Sequence, residues 1–162
     1  MAIFCVSIHH GNTLKIARTI SEVLSAEILK PEDMDPADAV KRYDLLGLGS
    51  GIYYGRPHKL LLEFAERLPR ASGKPVFIFS TSGLPRVPLL HDYHKPLIGV
   101  LRKRGFRIIG EFTCRGYNTH GILRSLGGMN KGRPSHADLE KAKRFAEEVF
   151  SLLEQEKPRK SV

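Results

Sequence analysis

The chain has 162 residues, with 26 lysines and arginines against 17 acidic residues and a net charge of +9 at pH 7. Its apolar fraction of 41% is near the globular average, so one domain with an ordinary core is expected and a disordered or fibrous chain is excluded. No apolar run approaches membrane-spanning length, and "MAIFCVSI" lacks the basic start and small-residue cleavage site of a signal peptide.

A cytoplasmic location is therefore expected, and the presence of only two cysteines agrees with it. Cys5 and Cys114 fall in different predicted strands, where a disulfide is possible but not the default. The positive charge favours an anionic partner: a nucleotide, an acidic protein, nucleic acid or a small anion. Solubility alone would also account for it.

In chain order, "AIFCVSI" is a short apolar run and reads as a buried strand. Ile16, Ile20, Val23 and Leu24 then share one helical face, with Asn12 or Thr13 as N-cap. "EILK" is a brief second strand. "DPADAV" is a short helix capped by Asp35, with Pro36 in the first helical position. "YDLLGLGS" is a third strand, "PHKLLLEFAERL" a helix stopped by Pro69, and "KPVFIFSTS" a fourth strand. "KPLIGVLRKRG" is a helix with Arg102, Lys103 and Arg104 at its negative end and Gly105 as a left-handed cap. "FRIIGEFTC" is a fifth strand. The last helix opens at "SHAD", a capping box with aspartate in the acidic place. Leu139, Ala142, Ala146, Val149, Phe150 and Leu153 are its expected apolar face. One domain, 1–156, and a basic tail, 157–162, are expected, with no repeat or linker.

Alternating strands and helices imply a parallel sheet covered on both faces, a small doubly wound α/β sandwich. In such folds ligands sit beyond the carboxyl ends of the strands. The loop after the first strand, "SIHHGNT", combines a glycine, side-chain donors and a following helix amino end, which together can cradle a phosphate. It is not the ATP-type loop, because no Gly-Lys-Ser/Thr follows. After the third strand comes "GSGIYYGRP", where the glycine spacing mimics a dinucleotide fingerprint but falls in the wrong strand. There Tyr53 and Tyr54 stand together between glycines, and a loop tyrosine offers a stacking surface. After the fourth strand comes "STSGLPRVPLLHDYH", whose hydroxyls and glycine can read a polar ring edge.

With these three loops the chain resembles the flavodoxin-like FMN proteins over essentially its whole length. The resemblance rests on "HHGNT", "YDLLGLGSGIYYG" and "FSTSG". It implies a three-layer sandwich with a five-stranded parallel sheet in the order 2-1-3-4-5, and FMN as cofactor. It implies a phosphate site at Ser7, His9, His10, Gly11, Asn12 and Thr13. Gly11 and Thr13 match the hydroxyl-rich pattern Thr/Ser-x-Thr/Ser-Gly-x-Thr. His10 and Ile8 stand where hydroxyls are usual, so the histidines replace lost donors and protonated imidazole adds charge. FMN affinity then weakens as pH rises through the histidine range. The second loop contributes Ser50, Gly51, Ile52, Tyr53, Tyr54 and Gly55. Tyr54 or Tyr53 stacks on the ring, and Gly55 or Gly51 lends backbone freedom. Thr81, Ser82 and Gly83 meet the pyrimidine edge. No tyrosine adjoins "STSG", the next being Tyr93, so one ring face is left open to a partner or substrate.

Electron carriers of this family are typically acidic, and this chain is basic. Arg56, His58, Arg86, His91, His94, Arg115, His120 and Arg124 fall at the expected ligand end. A positive mouth stabilises an anionic reduced flavin and raises its potential. "HDYH" has a metal-like spacing without a third ligand beside it, so no metal is expected. The segment "RGYNTHGILRSLGGMNKGRPS" is long for a connection and suits a lid, with Tyr117, Asn118 and His120 as candidates, or a surface excursion or dimer contact. Cys114 reads as a buried small apolar residue.

The function expected is electron transfer through non-covalently bound FMN, with a redox protein or a small anionic or quinone acceptor as partner. The alternatives are an FMN-dependent oxidoreductase, such as a quinone reductase or a protoporphyrinogen oxidase-like enzyme, and a flavin-free binding module. A homodimer is compatible with the resemblance. The first and third strands lack the terminal acidic residues of a phosphoacceptor domain, and no interleaved basic and aromatic surface supports nucleic acid.

Overall fold

The computed structural model describes residues 1–8, 10–84, 92–117 and 128–156. The elements are β1 (Ala2–Val6), α1 (Asn12–Leu24), β2 (Glu27–Leu29), a 3-10 turn (Pro31–Asp33), α2 (Pro36–Arg42), β3 (Leu46–Tyr53), β4 (Arg56–Pro57), α3 (Lys59–Arg67), β5 (Pro75–Ser82), α4 (Lys95–Lys103), β6 (Arg107–Arg115) and α5 (His136–Glu156). The sheet runs β2-β1-β3-β5-β6, all parallel, with β4 paired antiparallel to β3 alone. The expected five parallel strands in the order 2-1-3-4-5 are therefore present, β5 and β6 being the fourth and fifth of them. The two-residue β4 was expected as loop.

Each strand divides its side chains between two cores because successive residues face opposite ways. Phe4, Leu46, Leu48, Val76 and Ile78 pack against α2, α3 and α4 through residues such as Ala39, Leu61, Phe64, Leu97 and Leu101. Ile3, Cys5, Phe77 and Phe79 pack against α1 and α5 through Ile16, Ile20, Ala142, Phe145 and Val149. Gly47 and Gly49 lie beside Phe77 and Phe79 in the β3–β5 register, and a Cβ on either glycine would overlap the neighbouring ring. The three glycines that resembled a nucleotide fingerprint thus begin with two packing positions.

The caps follow the sequence at three places. Asp35 Oδ1 accepts from the Ala37 amide at 2.8 Å and starts α2. Gly105 takes φ 79° beyond α4. At α5 the Ser135 amide donates to Asp138 Oδ2 at 2.7 Å and the Asp138 amide returns to Ser135 Oγ at 3.4 Å, closing the expected box.

Two expectations need correction. α1 is not capped by Asn12 or Thr13; both lie inside it, and Gly11, left-handed at φ 64°, takes the cap position without a side-chain bond. Phe150 does not join the buried face of α5, being 41% exposed, and Phe145 fills that place. Phe145 falls three residues after Ala142 and four before Val149, on the stripe; Phe150 is rotated off it. The predicted tail, 157–162, lies outside the described residues.

Gly49→Ala should cost about 1–3 kcal/mol in urea unfolding, because the ring of Phe79 cannot retreat into a filled core. Pairing it with Phe79→Leu should return part of the loss, a coupling that a double-mutant cycle measures. A second expectation concerns Asp138. Burial alone would raise its carboxyl pKa, but bonds from the Ser135 amide, Arg133 and the Ser135 hydroxyl outweigh it and hold the carboxyl below the ordinary carboxylate value. Its stabilising contribution is then complete above the unfolded pKa of about 3.9 and is lost as pH falls through the lower folded value. The stability gap between wild type and Asp138→Asn should be full at neutral pH and shrink below about pH 4.

Candidate functional site

Three loops meet at the carboxyl edge of β1, β3 and β5. In the first, His10 (φ 56°) and Gly11 (φ 64°) are both left-handed and turn the chain into α1. Ser7 Oγ accepts from the Leu14 amide at 3.2 Å. No acidic residue occupies the first turn of α1, so the positive end of its dipole is not offset there. Among the described residues, a Cβ on Gly11 would meet nothing within 4 Å.

The side chains expected to cap α1 serve tertiary contacts instead. Asn12 Nδ2 donates to the Tyr117 carbonyl at 2.8 Å. Thr13 Oγ1 and Thr81 Oγ1 are 2.8 Å apart and tie the first loop to the third. Among the described residues Asn12 Oδ1 is buried without a hydrogen-bond partner. The His10 ring lies 4.6 Å from that of Tyr117, tilted by 48°. His9 lies outside the described residues.

The second loop is a tight hairpin. β3 runs on to Tyr53, Tyr54 and Gly55 make the turn with φ 49° and 76°, and β4 returns. Two successive positive φ angles suit the right-handed twist of the strands. Glycine takes such angles freely, but for tyrosine the left-handed region is strained. Tyr54 is also 89% exposed. Tyr53 turns the other way, set edge-on to His58 at 5.3 Å and close over Gly51. Of the two tyrosines, Tyr54 is the one presented to solvent. Ser50 is spent internally: its Oγ accepts from the His58 amide at 3.0 Å and donates to the Gly51 carbonyl at 2.7 Å. His58 Nδ1 accepts from the Leu60 amide at 3.2 Å and caps α3.

The third loop leaves β5 at Ser82. Thr81 and Ser82 are buried, and the Ser82 carbonyl accepts from the Gly116 amide at 2.9 Å. The Gly83 carbonyl accepts from Arg115 Nη1 at 2.6 Å and Asn130 Nδ2 at 2.9 Å. Asn130 was missed by sequence reasoning; its only signal was the turn-forming "NKG". It brings the far end of the long connection back onto this loop, bonding the Gly116 carbonyl as well at 3.2 Å. Residues 85–91 and 118–127, with Arg86, His91, Asn118, His120 and Arg124, lie outside the described residues.

His94, with Tyr93 beside it, corrects the expectation that this histidine lines the mouth. Both are buried, at 0% and 1% exposure. His94 Nε2 lies 2.7 Å from Ser80 Oγ, and Nδ1 lies 2.9 Å from Glu111 Oε2. Tyr93 Oη lies 2.7 Å from Thr113 Oγ1. The imidazole has found acceptors and donors in the interior, so this spacing serves a clamp between β5, β6 and α4. Among the described residues no group of three or more histidine, cysteine, aspartate or glutamate side chains could hold a metal ion. The cysteines are free thiols. Burial pushes both pKa values up to about 12, with Asp138 adding to the effect at Cys114, so neither is a ready nucleophile.

Comparison with known proteins follows the same lines. A family model described as a flavodoxin domain matches residues 3–102. An uncharacterized protein of Methanocaldococcus jannaschii is 45% identical over 144 residues, covering 89% of this chain and 93% of its own. A flavodoxin structure from Streptococcus pneumoniae superposes with a TM-score of 0.68 at 16% identity, over 93% of this chain and 98% of that one. The rubredoxin:oxygen oxidoreductase of Desulfovibrio gigas superposes with a TM-score of 0.70 at 17% identity, over 95% of this chain and 36% of that one.

The clamp makes a measurable demand. His94→Leu removes one buried hydrogen-bond partner from Ser80 and one from Glu111, which should cost about 1–3 kcal/mol. His94→Gln, which keeps a hydrogen-bonding group, should cost less. Urea midpoints at unchanged slope are the readout.

Proposed function

The chain belongs to the flavodoxin domain family, and from that premise we propose that it is a redox protein that passes electrons through non-covalently bound FMN. The observation that carries the reading is Tyr54: a large aromatic side chain, 89% exposed, kept in a strained left-handed turn beside two other ligand-facing loops. A protein has little reason to retain such a residue for packing, and an exposed ring is suited to stacking.

The residues fit the cofactor. The amino end of α1 offers backbone N–H groups without a competing carboxylate, with Ser7, His9, His10, Gly11, Asn12 and Thr13 around the phosphate. Asn12 Oδ1, a buried acceptor without a partner among the described residues, suits a ligand hydroxyl. Ser50 and Gly51 brace the hairpin, Ile52 to Gly55 flank the ring, and Thr81, Ser82 and Gly83 meet its polar edge through groups held by Arg115 and Asn130. When bound, FMN supplies the electron chemistry, and the chain supplies orientation and field. Arg56, Lys59 and Arg115 make that field positive, which favours a reduced, negatively charged ring.

A second reading is an FMN-dependent oxidoreductase of the quinone reductase or protoporphyrinogen oxidase-like kind. The long return from β6 to α5, pinned to the third loop by Asn130, favours it, because such a segment can shape a substrate pocket. Steady-state turnover with NAD(P)H and a quinone separates enzyme from carrier.

The purified protein should show a bound-flavin absorption spectrum and quench added FMN at one site. Tyr54→Ala should weaken FMN by about three- to tenfold and restore part of the fluorescence. The midpoint potential of bound FMN should lie above that of acidic flavodoxins, and added salt should narrow the difference. A protein that neither carries nor binds FMN refutes the reading and promotes a flavin-free binding module.

A further inference from the structure

At the pole opposite the ligand loops, α3, α4 and α5 end and β5 and β6 begin. Two short connections meet there, 68–74 and 104–106. The Ala71 amide donates to the Arg104 carbonyl and the Gly73 amide to the Gly105 carbonyl, both at 2.8 Å, and the Arg107 amide donates to the Lys74 carbonyl at 3.0 Å. The fit is close: a Cβ on Gly105 would come within 2.1 Å of the Ala71 carbonyl oxygen. This packing draws Arg70 and Lys74 to the same pole as Arg102, Lys103 and Arg104.

Gathering these charges costs repulsion that the fold does not return. Arg104 Nη1 donates to the Leu68 carbonyl at 2.6 Å and Lys74 Nζ to the Tyr43 carbonyl at 2.7 Å, which satisfies donors and leaves both charges standing. Arg70, Arg102 and Lys103 are exposed. Among the described residues none of these cations is ion-paired, whereas Arg67 and Arg107 nearby are matched by Asp35 and Glu156. The dipole of α4 accounts for cations in its own last turn, but not for Arg70 or Lys74 on the other connection. Exposed apolar groups lie at the same pole. Val149 and Leu153 are on the stripe of α5 that faces the core. Phe150 and Leu152 flank that stripe, one on each side, and both are exposed in the last turns of the helix. Leu152 stands one turn before Glu156, whose carboxylate is bonded to Arg107.

We propose that this pole docks on the surface of an anionic lipid bilayer. Cations on two connections and a helix end meet the phosphates of the headgroups, an attraction that adds up with each lysine or arginine. Phe150 and Leu152 enter the headgroup layer, where apolar burial adds to it. A nucleic-acid backbone would answer the cations and leave those apolar side chains in water. A single strand also needs exposed rings to stack on, and Phe106, the aromatic residue of the two connections, is buried. A protein partner needs an apolar anchor at the centre of the patch, and Leu68 and Phe106 are already spent in the core. No helix among the described residues is long and apolar enough to cross a membrane, so the attachment is peripheral. Docked in this way, the chain turns its ligand loops toward water. Nothing in the proposal rests on the FMN reading.

The test is flotation of the full chain with vesicles of phosphatidylcholine alone or with about one-third phosphatidylglycerol. The chain should float with the anionic vesicles and stay behind with the neutral ones, and raising the salt from about 50 to about 300 mM should weaken binding about tenfold or more. A variant carrying Arg70→Gln, Arg102→Gln and Lys103→Gln should lose about thirtyfold or more in affinity. A control carrying Arg18→Gln, Lys141→Gln and Lys143→Gln removes the same charge from other faces and should stay within about threefold. Leu152→Ser should weaken binding about threefold at unchanged salt dependence. Equal flotation with the two vesicle types overturns the proposal, and so does equal loss in the two triple variants, which would make net charge alone responsible. Tighter binding to a DNA duplex than to the anionic vesicles, lost in the first variant, overturns it in favour of nucleic acid. If the chain binds no FMN while the vesicle results stand as stated, the flavin reading falls and the lipid surface remains.

Discussion

The rings of Phe77 and Phe79 occupy the space that side chains at positions 47 and 49 would need. This interlock of large residues in β5 with glycines in β3 decides the register of the two central strands. A one-residue slip would bring the rings against Leu46 and Leu48 and send each strand's apolar set to the wrong core. Everything at the ligand end depends on that register. It sets Gly51 opposite Thr81, so the hairpin and the third loop leave the sheet side by side. It also brings Thr81 within reach of Thr13 on α1, so the first loop joins the other two through one hydroxyl pair.

Much of this architecture was legible in the sequence because its cause is local. Apolar runs bounded by glycine and proline identify the strands, and the 3.6-residue spacing of Ile16, Ile20 and Leu24 identifies α1. The capping residues Asp35 and Ser135 act within three positions of themselves. What was not legible depends on distant partners. Asn12 and Thr13 look like caps, but their hydrogen-bonding capacity goes to Tyr117 and Thr81, which no local rule anticipates. β4 is two residues long and exists only because β3 continues beside it. His94 looks like part of a cationic rim until Ser80 and Glu111 are seen on either side of the ring.

The histidines show how one residue type is put to different uses in one fold. His58 ends a strand and begins a helix with a single ring nitrogen. His10 stands in a left-handed turn next to an aromatic ring. His94 has no exposure at all. Charge at the ligand end is therefore carried mainly by arginine and lysine among the described residues, with Arg115 also serving as a brace on the Gly83 carbonyl. Basic side chains that hold backbone in place and also set a field link the stability of the loops to their electrostatics.

The chain Glu111–His94–Ser80–Thr113 has a direction. Ser80 has one hydroxyl proton and two neighbours, His94 Nε2 at 2.7 Å and Thr113 Oγ1 at 3.2 Å. If that proton goes to Thr113, Nε2 must donate, and with Nδ1 facing a carboxylate both ring nitrogens carry hydrogen. If it goes to His94, the imidazole is neutral and the polarity between β5 and β6 is reversed. Glu111 is the partly exposed end of this row, and Ser80 is the residue before Thr81. A single hydrogen-bonded row thus runs from the partly exposed face of β6 through a fully buried ring to within one peptide of the third loop.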